Sequence, residues 1–127
     1  MTEYVTVAEI LAIHQDQIDR YGGSSGIRDA GLLEAAIFRP QTGYYESLIE
    51  QAAALWESLA QNHPFLDGNK RTAFAGTYTF LAINGARMTA EAAETFRFID
   101  DLYRQGTFTF SSLVLWLEQH VALPSDQ

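Results

Sequence analysis

The chain has no cysteine. That excludes disulfides and thiolate metal sites, and it agrees with a reducing compartment. Cations are scarce as well: 8 Lys and Arg stand against 16 Asp and Glu, for a net charge of −8. An acidic surface of this kind repels DNA and anionic lipid at long range, so neither nucleic acid nor membrane is expected as a partner. No apolar run approaches the ~20 residues of a membrane span. The opening MTEYVTVAEI carries no basic stretch of the signal-peptide type. A cytoplasmic protein without a signal sequence is therefore expected. The three histidines, at positions 14, 63 and 120, are too scattered for a zinc site, and H-E-x-x-H is absent.

What is present is helical patterning and aromatic bulk. A chain of 127 residues fits one domain over residues 1–127, and a domain near this size hides roughly two-thirds of its unfolded surface. Thr6-Val-Ala-Glu9 reads as a capping box, with Ile10, Ile13, Ile18 and Tyr21 following at helical spacing until Gly22-Gly23 ends the run. His14, beside Gln15 and Asp16, is read as a surface residue. A shorter helix is predicted from about Asp29 to Phe38, stopped by Pro40, and a third from the cap Ser47 to about Asn62. A fourth, from Asn69 to Asn84, is apolar nearly all round and so is expected to be central. Thr89 is read as the cap of a fifth helix ending near Arg104, and a last helix spans about Phe110 to Val121. Trp56 and Trp116 sit on apolar stripes and are assigned to the core. His120 is read as a surface or partner-facing group. Arg28, Glu34 and Arg39 are read as candidates for helix-surface ion pairs, worth little individually. The fold class expected is all-α, with one short hairpin at residues 39 to 46, where RPQTGYYES has no helical period.

The densest chemistry lies in HPFLDGNKRTA, residues 63 to 73. Pro64 disfavours the α conformation at His63 and so ends the third helix. Gly68 permits tight backbone geometry, and Asn69 is read as the N-cap of the fourth helix. The N–H groups of that first turn are unpaired and carry the positive end of the helix dipole, a ready anion site. Lys70 and Arg71 are unusual there, because the dipole favours acids. Two cations against the field imply a compensating polyanion. Asp67 is a hard oxygen ligand of the kind Mg²⁺ takes together with substrate phosphates, and His63 has the titration range of a general base. Each residue alone fits ordinary turn chemistry, but a structural corner needs neither a His nor two cations at a helix start. Together they make the set used in phosphoryl-type transfer.

The same residues carry a resemblance. The stretch is similar to the signature of the Fic/Doc superfamily, H-P-F-x-[DE]-G-N-G-R-x-x-R, with His63, Pro64, Phe65, Asp67, Gly68, Asn69 and Arg71 in register. Lys70 stands where the Fic motif has its second Gly, and Phe74 where it has its second Arg. The variant H-x-F-x-D-[AG]-N-K-R belongs to the death-on-curing (Doc) branch, which the upstream GIRDAGLLEAAIFRPQ, residues 26 to 41, also resembles.

The resemblance implies a helical bundle around a central helix, with the motif loop preceding that helix. It implies ATP as donor, Mg²⁺ as cofactor and a protein hydroxyl as acceptor. His63 would take the hydroxyl proton, Asp67 would hold Mg²⁺, and Gly68, Asn69, Lys70 and Arg71 would contact the phosphates. Thr42, Gly43, Tyr44 and Tyr45 would match the family's target-binding flap, with ordinary loop packing the competing reading for the two tyrosines. Doc proteins phosphorylate elongation factor Tu and arrest translation as the toxin half of a toxin–antitoxin pair, whereas Fic proteins transfer AMP. A Lys side chain at position 70 fills space that glycine leaves free, which favours phosphate over AMP transfer. A non-catalytic binding module is the remaining alternative. The self-inhibitory pattern [ST]-x-x-x-E-[GN] is met only in part, by Thr42 to Glu46 followed by Ser47. Inhibition is therefore expected from a separate antitoxin.

Overall fold

The computed structural model describes residues 1–125. Helix α1 spans Val7–Tyr21, α2 Ala30–Phe38, α3 Leu48–Gln61, α4 Asn69–Ile83, α5 Ala92–Gln105 and α6 Phe110–His120. The molecule is all-α apart from a two-residue strand pair, β1 (Arg87–Met88) and β2 (Val121–Ala122), antiparallel with Arg87 opposite Ala122.

Local chemistry sets most helix starts. Thr6 and Glu9 form the expected capping box, and Ser47 forms a second with Glu50. Asp29 accepts from the Leu32 N–H and Thr109 from that of Ser112. Such caps satisfy first-turn donors that the helix itself cannot. At α5 the expected cap is displaced. Glu91, not Thr89, occupies the N-cap position, without a side-chain bond. The Thr89 N–H instead donates to the His120 carbonyl at 2.8 Å, extending the strand pair that holds residues 87–89 out of the helix.

Helices α3 and α4 form the middle of the bundle. Ten side chains of α3 are buried, including Leu55, Trp56 and Leu59. Six of α4 are buried: Thr72, Ala73, Gly76, Thr77, Phe80 and Leu81. The apolar circumference of α4 is thus only half used, since Tyr78 and Ile83 stand 50% and 42% exposed. Contact between α1 and α4 is close at Gly76, where a Cβ would lie 2.9 Å from Ile10 Cδ1. Trp56 is the hub of the core: Phe74, Phe98, Phe108 and Trp116 all pack on it, with ring centroids 5.6–6.3 Å away.

The hairpin expected at residues 39 to 46 is not formed. Arg39–Gln41 make one turn of 3₁₀ helix, and a bend follows at Gly43, whose φ is 87°. The reason lies in Arg39, whose side chain is drawn inward rather than lying on the surface. It donates to Glu57 Oε1 at 2.7 Å, Ser58 Oγ at 2.8 Å and the Tyr45 hydroxyl at 2.8 Å. Burial opposes its charge, but Glu57 and Tyr45 outweigh that and raise its pKa. The other Glu57 oxygen accepts the Phe110 N–H at the start of α6. One carboxylate therefore joins α3, the 39–46 segment and α6.

Candidate active site

The last carbonyls of α3 open onto the loop of residues 62 to 68. Pro64 disfavours the right-handed α conformation at His63, and His63 takes φ 48°. It is the sole non-glycine residue with positive φ among the described residues. This left-handed position just beyond a helix end ordinarily belongs to Gly or Asn. The imidazole itself is exposed.

Arg28 clamps the corner from the preceding loop. Its guanidinium donates to the His63 carbonyl at 2.5 Å and the Asn62 carbonyl at 2.7 Å. The Arg28 and Asp29 N–H groups both donate to the Pro64 carbonyl, and the Leu66 N–H donates to Gly26. Arg28 is thus an anchor for the carbonyls just beyond α3 and not half of a surface ion pair.

Asn69 does not cap α4. Gly68 occupies the N-cap position at φ 75°. The Asn69 amide instead closes the loop on itself: Oδ1 accepts the Phe65 N–H at 2.9 Å and Nδ2 donates to the Phe65 carbonyl at 3.0 Å. Phe65 is buried, so its polar backbone needs such partners. Asp67 is held by backbone as well. Ser24 N–H donates to Oδ2 at 3.1 Å and Gly68 N–H to Oδ1 at 2.8 Å. Those two bonds, Ser24 first, hold the carboxyl below the usual range, and Arg71 and His14 add to the effect.

The two cations part company. Arg71 reaches back to the end of α1, donating to the carbonyls of Gly22 at 3.0 Å and Gln17 at 3.4 Å. Lys70 Nζ lies 4.0 Å from the ring centroid of Tyr103 on α5. Burial pushes the Tyr103 phenol up to about 12. Even so, His63, Asp67, Gly68, Asn69, Lys70 and Arg71 line one cleft together with Leu66, of about 340 Å³. The arrangement sets an exposed imidazole, a held carboxylate, two cations and the start of α4 around that cleft.

Thr42, Gly43, Tyr44 and Tyr45 do not line it. The two tyrosines differ in their packing. Tyr45 is packed: its hydroxyl accepts from Arg39, its ring lies 5.3 Å from Phe110, and Gln51 donates to its carbonyl. Tyr44 meets Tyr45 edge-on and is 76% exposed.

His14 is buried, 4% exposed, and not on the surface. Its Nε2 lies 2.8 Å from the Asp67 carbonyl, and its ring stacks on Phe65 at 3.7 Å. The signal was in the sequence: His14 follows Ile10 and precedes Ile18 by one helical turn each, and both are buried. His120 is half-buried, stacked on Trp116 and 3.6 Å from Glu94.

Among the described residues no group of three or more His, Cys, Asp or Glu could hold a metal ion. A Mg²⁺ bound through one carboxylate and the substrate's own phosphates needs no such group. Asp67, kept ionised and using one N–H bond per oxygen, retains lone pairs for it, so the residues fit that mode. No described helix is long and apolar enough to cross a membrane.

The model of the family described as Fic/DOC matches residues 4–81. Among curated proteins, the chain is 47% identical over 96 residues to "Toxin Doc" of Mycolicibacterium smegmatis, covering 72% of each chain. It is 38% identical over 89 residues to "Protein kinase doc" of Escherichia phage P1, covering 67% of this chain and 71% of the relative.

Proposed function

The chain belongs to the Fic/DOC family, and we propose that it is a Doc-type toxin that transfers the γ-phosphate of ATP to a hydroxyl of a translation factor, elongation factor Tu being the first candidate. The observation that carries the catalytic reading is His63 at φ 48°. Glycine would occupy that position at lower cost, so the strain is explained by a need for the imidazole. Outliers of this kind cluster at working sites.

In this reading the acceptor hydroxyl loses its proton to His63 as its oxygen bonds to the γ-phosphorus. The bond from that phosphorus to the β–γ bridging oxygen breaks, and ADP leaves. The first-turn N–H groups of α4 hold phosphate oxygens, with Lys70 as a mobile cation and Arg71 as a fixed one. Asn69 acts through the loop it closes. Asp67 would hold Mg²⁺, which neutralises developing charge on the phosphates when bound. The Lys70 side chain occupies space that AMP-transferring relatives leave to phosphates, which supports presentation of the γ-phosphate. The segment of residues 42 to 47 forms no helix that could inhibit the cleft, in keeping with a separate antitoxin as partner. Thr42, Gly43 and Tyr44 are the exposed residues of the 42–45 segment, and of these Tyr44 offers a large ring to a protein target. The names of the two relatives agree with a toxin and with a kinase.

Intact-mass analysis of elongation factor Tu after incubation with the chain, ATP and Mg²⁺ tests this. A gain of one phosphate is expected, abolished by His63→Ala. A gain of AMP would make the protein an adenylyltransferase. Growth inhibition by the chain that survives His63→Ala would make it a binding module.

A further inference from the structure

We propose that His14 is a positioning residue for this site, orienting the peptide unit between Asp67 and Gly68 and through it the Asp67 carboxylate. The inference rests on the functional reading above and adds a residue from α1 to it.

A carbonyl oxygen only accepts hydrogen bonds. The 2.8 Å contact from His14 Nε2 to the Asp67 carbonyl therefore requires the proton on Nε2. The peptide unit is planar, so fixing the Asp67 C=O direction fixes that of the Gly68 N–H at its other end. That N–H is the donor that holds Asp67 Oδ1 at 2.8 Å. His14 thus governs, through one rigid plane, both a carboxylate oxygen and the left-handed residue from which α4 starts. The ring cannot swing away. It is 4% exposed and lies flat on Phe65, with ring centroids 3.7 Å apart and planes 5° apart. Phe65 is in turn pinned by Asn69. A packing role alone would need only the ring's volume, which Leu or Phe also supplies. The hydrogen bond needs a donor at Nε2.

Partners behind a metal-holding group typically change metal affinity or activity by about 10- to 100-fold when removed. Calorimetric binding of Mg·ATP and of metal-free ATP to the full chain, for wild type, His14→Leu and His14→Gln, reads the effect. The Leu variant should bind Mg·ATP about 10-fold or more weakly with metal-free ATP little changed, and Gln, whose amide can donate where Nε2 does, should recover most of the loss. A Leu variant that melts earlier yet binds Mg·ATP like wild type makes His14 a core residue only and overturns the proposal. So does a Gln variant as weak as Leu. A wild-type chain that binds no Mg·ATP refutes the functional reading itself, and this inference with it. If the Leu variant does not fold, the imidazole nitrogen shifts of wild-type His14 decide: protonation at Nε2 supports the proposal, and at Nδ1 alone overturns it.

Discussion

Replacing His63 by Gly should make the protein more stable and inactive, whereas Ala at the same position should make it inactive without the gain. His63 is held at φ 48°. For a residue with a Cβ, left-handed backbone costs about 1–2 kcal/mol, and glycine removes that cost. Glycine also loses more freedom on folding, about 0.5–1 kcal/mol. The exposed imidazole contributes little packing. The anchoring bond from Arg28 goes to the His63 carbonyl and survives either change. The difference leaves a net gain of about 0–1.5 kcal/mol for His63→Gly and near zero for Ala. That corresponds to a rise in melting temperature of up to about 6 °C in a chain this size. Urea denaturation reads it as a higher midpoint at unchanged slope. Phosphate transfer should disappear in both variants. A Gly variant less stable than wild type would show that the corner is not strained, and strain would no longer point to catalysis. Activity surviving in either variant would remove His63 from the role of base.

Asp67→Asn should destabilise the chain at neutral pH, and the gap to wild type should close as pH falls. Backbone N–H bonds depress the native carboxyl's pKa, so its stabilisation is present above the unfolded value of about 3.9 and fades as pH drops through the lower native one. Acid titration followed by circular dichroism checks this. Arg39→Met should cost about 1–3 kcal/mol in chemical denaturation, because it strands the half-buried Glu57 carboxylate and frees Tyr45. Tyr45→Phe should cost no more than about 1.5 kcal/mol, since it deletes one of several bonds to Arg39. Trp56→Ala, which opens a hole among four aromatic neighbours, should cost about 3–5 kcal/mol and is readable by thermal melts.

The helices were legible because their signals are local. Thr6 with Glu9, Ser47 and Gly22 act within a turn of themselves, and the structure agrees at each. The motif residues were legible as a group for the same reason: all six line one cleft because they lie close together in the chain, between positions 63 and 71. What could not be read was set by partners far away in sequence. The β1–β2 pair joins segments more than thirty residues apart. Arg39 turns inward because Glu57 and Ser58 lie on the facing side of α3, which no pattern near position 39 encodes. The Thr89 cap failed because its N–H had a better partner in His120. His14 is the instructive miss. Its polar neighbours Gln15 and Asp16 masked a helical spacing with Ile10 and Ile18 that already placed it inside.

The pair of cations is where the physical reading changes most. From the sequence, Lys70 and Arg71 oppose the dipole of α4 and so demand an anion. In the structure each has a partner within the fold. Arg71 faces the terminal carbonyls of α1, the negative end of a second helix dipole. Lys70 rests on the electron-rich face of Tyr103. The fold therefore supplies part of the compensation that the sequence assigned to a ligand, and two uncompensated charges are no longer the evidence for a phosphate site. Support for the proposed phosphate site then rests on the composition of the cleft. The two residues also cease to be equivalent. Arg71 can keep its bonds to α1 and still have guanidinium donors to offer, because it has five and these bonds use two. Lys70 is held through a ring face and not by hydrogen bonds to carbonyls. In the proposed reading Arg71 is therefore the anchored cation of the site and Lys70 the adaptable one.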